Sequence, residues 1–244
     1  MERQPRLWTG SFLNVCASNF LVFLVFYLLF VTMPIYTMES IGVAEGEAGL
    51  IITVFLLAAI LIRPLSGQWV ESFGRKPVVV IALSIFLGSS FLYLWFDSFS
   101  TLLIIRFIQG IGFGMGTTAL GAIAADVIPD QRKGEGLGYF AMSMNFAMVI
   151  GPFLGLTLIQ NAGFTVMFYV CVALAVLALL TGLVIRVDAL AAPAKKSLVP
   201  SMHNLLEKPV IPIALTGAVM ALAYAGGFIF CFRLCKPARP CPGG

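Results

Sequence analysis

Gly67-Gln-Trp-Val-Glu71-Ser-Phe-Gly74-Arg75-Lys76 is a short stretch with three charges, set between long apolar runs at 48–70 and 78–96. About 20 mostly apolar residues suffice for a helix to cross a bilayer. A tight polar turn between two such runs predicts two antiparallel membrane-spanning helices. The same pattern repeats along the chain, with further candidate spans at 12–33, 102–125, 137–159, 165–185 and 210–230. The expected fold class is therefore an all-α polytopic membrane protein.

Composition agrees. Of 244 residues, 60% are hydrophobic and only 11% charged, with a mean hydropathy of +1.00. A soluble domain carries about 25% charged residues, and this chain has too little polar surface to cover a globule in water. The first apolar run is too long for a signal-peptide core and has no A-x-A site behind it, so it reads as a retained span.

Lys and Arg placement sets the expected orientation. Arg3, Arg6, Arg75, Lys76, Arg132, Lys133, Arg186, Lys195, Lys196 and Lys208 fall in the N-terminus and the even-numbered loops. The odd-numbered loops hold Glu39, Glu45, Glu47 and Asp97 instead. The N-terminus and the basic loops are expected on the cytoplasmic side of a cell membrane.

Four regions follow. Residues 1–187 form a six-span bundle, and 188–209 a cytoplasmic linker rich in Ala, Pro, Lys and Ser. Residues 210–230 are a seventh span opening a second half, and 231–244 an atypical Cys- and Pro-rich tail. The abrupt change after Phe230 leads us to expect a truncated or frame-shifted product. The tail cysteines Cys231, Cys235 and Cys241 have no nearby His, and no metal or cofactor is expected. His203 lies in the linker. Clustered polar groups at a membrane face are lacking, so an enzyme is not expected. The seventh span has no Lys for retinal, and no nucleic-acid signature is present.

Several residues carry candidate chemistry. Arg106, with Gln109 and Gly110 on one helical face, and Arg63 before Pro64 lie inside spans. A mid-span arginine costs roughly 2.5–3.5 kcal/mol on insertion scales, so such a charge faces a wet cavity or a partner, or else snorkels to the interface. Gly110, Gly112, Gly114 and Gly116 read as close helix packing rather than a phosphate loop. Gly151-Pro152-Phe-Leu-Gly155 combines close packing with a proline that removes one helical hydrogen bond. Pro64 and Pro152 stand at similar depths, a modest sign that spans one to three and four to six are related triplets. Asn19, Tyr139, Ser143 and Asn145 are polar groups within spans. They line a substrate cavity or tie helices together.

These motifs together resemble the Major Facilitator Superfamily, in particular the N-terminal half of its drug/proton antiporter branch. Gly67-x-x-x-Glu71-x-x-Gly74-Arg75-Lys76 is similar to the family's loop signature G-x-L-x-D-x-x-G-R-K. Arg106-x-x-Gln109-Gly110 is similar to its fourth-span signature, and Gly138, Ala147, Gly151, Pro152 and Gly155 match its fifth-span signature in part. The resemblance implies that Gly67, Glu71, Gly74, Arg75 and Lys76, with Asp126, form a conformational latch. It implies proton coupling at Arg106 and an export-linked helix bend at Gly151, Pro152 and Gly155. Glu71 for Asp, Trp69 for a small aliphatic residue, Ala147 for Gly and Leu156 for Gly are departures.

The expected function is proton-coupled efflux of small amphipathic or drug-like molecules by alternating access. The expected partners are the lipid bilayer, the small-molecule substrate, protons, and a second half or second copy. The alternative is an inactive or dimer-dependent fragment without independent transport.

Overall fold

The computed structural model describes residues 7–185 of the chain. Arg3, Arg6, Arg186, the linker at 188–209 with His203, the seventh span at 210–230 and the tail at 231–244 lie outside the described residues.

Helices dominate, with no strand among the described residues. Thr9 caps α1 (Gly10–Tyr36), its side-chain oxygen accepting from the Phe12 N–H. A short π-helical turn, Thr37–Ile41, continues α1 and stops at Gly42, which has φ +79°. The helix α2 (Glu45–Phe73) carries Glu45 and Glu47 in its first turn, where carboxylates offset the positive helix end. Next come α3 (Arg75–Leu92), α4 (Phe99–Val127), a 3-10 turn at Asp130–Arg132, and the 52-residue α5 (Lys133–Val184). Among the described residues, five helices have the length and apolar composition to cross a membrane.

The helix α5 cannot be one straight rod. At 1.5 Å per residue it would be about 78 Å long, against a hydrocarbon core of about 30 Å. Its break is Gly163, at φ 81° and ψ 174°. That backbone region is essentially restricted to glycine. Contacts with α1 show the reversal. Ser143 meets Asn19, Gly151 meets Tyr27 and Gly155 meets Thr32, advancing along both helices. Beyond the break the order inverts: Phe164 and Phe168 lie against Tyr36, and Thr181 against Ser18. The expected fifth and sixth spans are thus two antiparallel limbs, 133–162 and 164–184.

Close packing explains the glycine row in α4. A Cβ at Gly110 would lie 2.5 Å from the Phe55 carbonyl oxygen, and one at Gly114 2.6 Å from that of Ala59, both on α2. A Cβ at Gly112 would lie 2.8 Å from the Phe86 nitrogen on α3. Small residues four apart let backbones approach this way. The helix α4 is therefore wedged between α2 and α3. The helix α1 fills the centre, with Val22, Val25, Leu28 and Leu29 fully buried. The most open helix is α2, where Leu57, Ile60 and Leu61 are exposed.

Candidate functional site

Two polar centres stand on this scaffold, one at each depth that the sequence singles out. The first lies at the turn between α2 and α3. Gly74 ends one helix and starts the next at φ 88°, ψ 159°, a conformation that costs other residues about 1–3 kcal/mol. The sharp corner puts Arg75 in the first turn of α3, where its guanidinium forms a close ion pair with Asp126 near the end of α4. Both side chains keep partial solvent access, 26% and 34%. Two further pairs, Arg132–Glu135 at 2.8 Å and Lys133–Asp130 at 2.6 Å, follow in the next turn at the same end. Glu71 and Lys76 are exposed, and a Cβ at Gly67 would meet nothing within 4 Å. Of the loop residues, Arg75 is the one brought to Asp126.

The second centre is Arg106, which is 2% exposed. Its Nη2 donates to the Leu29 carbonyl of α1 at 2.8 Å, and its Nη1 to Gln109 Oε1 at 3.1 Å. Gln109 Oε1 also accepts from the Tyr93 hydroxyl at 2.7 Å, and Gln109 Nε2 donates to Ser90 Oγ at 3.2 Å. The guanidinium lies 5.6 Å from the Phe55 ring centre and 5.7 Å from that of Tyr93, within cation–π range. No carboxylate pairs with it among the described residues, and Arg106 Nε has no hydrogen-bond partner. Carbonyl dipoles and ring faces thus hold the cation. Arg106 does not snorkel. Its partners Tyr93 and the Leu29 carbonyl, and Ser90 bonded to Gln109, escape a reading of the sequence alone, although Ser89-Ser90-x-x-Tyr93 is a polar patch on an apolar span.

The remaining candidates separate. Buried Asn19 donates to Ser143 Oγ at 2.9 Å, and Ser143 donates to the Phe140 carbonyl at 2.7 Å. That pair ties α1 to the 133–162 limb. Tyr139 is exposed and rests against Trp8, ring centres 4.9 Å apart. Asn145 and Arg63 are exposed, Arg63 on the open helix α2. Gly151 and Gly155 lie flush against α1, where added Cβ atoms would come within 2.7 Å of Tyr27 and Thr32. Pro152 sits inside the same limb, and Gly163 is the one residue of α5 with non-helical dihedrals. Phe23, Phe26, Phe55 and Phe113 form an aromatic cluster joining α1, α2 and α4.

Known proteins resemble this chain. The family model described as Major Facilitator Superfamily matches residues 15–234. Quinolone resistance protein NorA of Staphylococcus aureus (strain MRSA252) is 28% identical over 212 residues, covering 85% of this chain and 53% of the relative. MFS transporter L2 of Phoma sp. (strain ATCC 20986 / MF5453) is 28% identical over 161 residues, covering 66% of this chain and 27% of the relative. Among solved structures, a peptide transporter POT in complex with alafosfalin superposes with a TM-score of 0.67 at 18% identity, covering 88% of this chain and 46% of that one. This last likeness speaks for the fold alone. The chain spans about half the length of the NorA relatives it matches. The chain belongs to the Major Facilitator Superfamily of membrane transporters.

Proposed function

We propose that this chain is the N-terminal bundle of a proton-coupled exporter of small amphipathic or drug-like molecules, working by alternating access in the cell membrane. The observation that carries the reading is the Arg75–Asp126 ion pair. It joins the α2–α3 corner to the end of α4 through side chains that water can still reach. An exposed pair contributes only about 0–1 kcal/mol. A tie that weak is suited to opening and closing on each cycle rather than to holding the fold. Gly67 and Glu71 meet nothing in this bundle that requires them, which fits a surface that closes against a second bundle. The quinolone resistance for which the NorA relatives are named supports an exported, drug-like substrate.

Arg106 supplies the electrostatics of coupling. It is a buried cation without a paired acid, so it raises the cost of any second cation nearby and favours release of a proton from a neighbouring acid. The substrate-contacting candidates are Asn19 on α1, bonded to Ser143 on the 133–162 limb, and the exposed Tyr139, Asn145 and Arg63. The N-terminus and the Arg75–Asp126 end face the cytoplasm.

A second reading, that the chain alone transports nothing and needs a second half or copy, is favoured by its coverage of about half of the relatives' length. Ethidium efflux from efflux-deficient bacteria expressing the full chain separates the two. Protonophore-sensitive efflux supports independent export. Membrane insertion without efflux supports the second reading.

A further inference from the structure

At the end of the bundle opposite the Arg75–Asp126 pair, three chain reversals converge. The π-helical turn after α1 brings Ser40 and Ile41. The α3–α4 connection brings Asp97, and the Gly163 reversal brings Phe164 and Thr165. Together with Tyr36 these residues line an open concavity of about 550 Å³. That volume is in the range of small-molecule sites. π-helical turns recur at functional sites because the extra residue redirects side chains. Here the turn places Ser40 at the rim.

The chemistry of the lining is one-sided. Tyr36 donates its hydroxyl to Asp97 Oδ1 at 2.8 Å, which fixes the carboxylate and leaves Oδ2 outside that bond. Phe164 stands edge-on to Tyr36 with ring centres 5.1 Å apart, and Phe168 braces Tyr36 at 5.2 Å and 90°. The lining holds a carboxylate and two aromatic rings, and no Lys or Arg. The surrounding connections add Glu39, Glu45 and Glu47, again without a basic residue. A fixed carboxylate beside aromatic faces attracts an alkylated ammonium group by charge and by the ring quadrupole. An anion would meet only repulsion.

We propose that this concavity binds small organic cations, with Asp97 as the charge partner, Tyr36 positioning Asp97, and Phe164 as the aromatic wall. The site is separate from the Arg106 centre, and it does not depend on whether the chain exports on its own.

The test uses the full chain in lipid nanodiscs, titrated with tetraethylammonium chloride by calorimetry, with sodium benzenesulfonate as the anionic control. Saturable binding of tetraethylammonium and none of benzenesulfonate is expected. Asp97→Asn should weaken it about tenfold or more, the loss of roughly one charge-assisted contact, and Tyr36→Phe by a smaller factor. Ser40→Trp fills the concavity from the rim and leaves the Tyr36–Asp97 bond intact, so it decides the matter if Asp97→Asn does not fold. It too should weaken binding about tenfold. Absence of saturable binding, equal binding of the anion, or unchanged affinity in folded Asp97→Asn or in Ser40→Trp overturns the proposal.

Discussion

Arg106 and Gln109 look like equal partners, but their removal should have unequal consequences. Replacing Arg106 with Leu leaves Gln109 Oε1 still accepting from Tyr93 and the Leu29 carbonyl still in its helical ladder. No buried polar atom is orphaned, and the burial cost of a guanidinium disappears. Replacing Gln109 with Leu strips acceptors from both Arg106 Nη1 and the Tyr93 hydroxyl. Each orphan costs about 1–3 kcal/mol. Thermal unfolding in detergent should therefore show Gln109→Leu clearly destabilised and Arg106→Leu close to the parent. The reverse order would mean that the cation, not the amide, organises the centre. The residue scale also shows what a sequence conceals. Arg106 and Gln109 are legible because a charge and an amide stand out in an apolar span. The Leu29 carbonyl is not, because a backbone acceptor has no letter of its own. Tyr93 counts among apolar residues in a hydropathy reading, although its hydroxyl makes the shortest contact in the network.

At the scale of the helices, the glycines separate by geometry. Gly110, Gly112 and Gly114 oppose the backbones of neighbouring helices, with Cβ contacts to backbone of 2.5, 2.8 and 2.6 Å. Gly116 meets only side chains at 3.7 Å and beyond, an ordinary contact. Alanine at each of the first three should push α4 away from α2 or α3 and cost about 1–3 kcal/mol. Alanine at Gly116 should be neutral or slightly stabilising. Unfolding of the four variants side by side checks this. If all four lose equally, helix propensity rather than packing governs. The spans within residues 7–185 are legible to within a few residues. Hydropathy misses Glu45 and Arg75 as helix starts, since polar first turns do not register as apolar. It also carries the third span to residue 96, although α3 ends at Leu92, because Tyr93-Leu-Trp-Phe96 is an apolar turn. Pro152 sits inside the first limb. The reversal at Gly163 falls in the gap between the expected spans 137–159 and 165–185, although which residue there adopts the positive φ is not announced by one letter among 24 glycines.

For the molecule as a whole, charge placement sets the topology. In a background without native cysteines, a cysteine at Ser98 should react with a membrane-impermeant maleimide added outside the cell. One at Gln131 should react only after permeabilisation. Labelling in the opposite sense would invert the orientation and put the acidic concavity in the cytoplasm. The proposed latch belongs to this scale too. The loop signature pairs Arg75 with Asp126, and the two form the ion pair. The same signature gives Glu71 a share in the latch, yet Glu71 stands exposed. A partner for it would have to lie beyond this bundle, which no spacing within residues 7–185 could reveal. Glu71→Ala should therefore leave the stability of this chain unchanged within about 0.5 kcal/mol, measured by thermal unfolding. A larger loss would show that the latch closes inside the bundle.

The central claim is proton-coupled export governed by the Arg75–Asp126 pair, and ethidium efflux from cells expressing the chain tests it most directly. Expected is efflux above the empty-vector rate that stops on adding a protonophore and slows severalfold in Asp126→Asn, while unfolding of that variant shifts by no more than about 1 kcal/mol. Efflux equal to the empty vector, with the chain shown to be in the membrane, would contradict export by this chain alone.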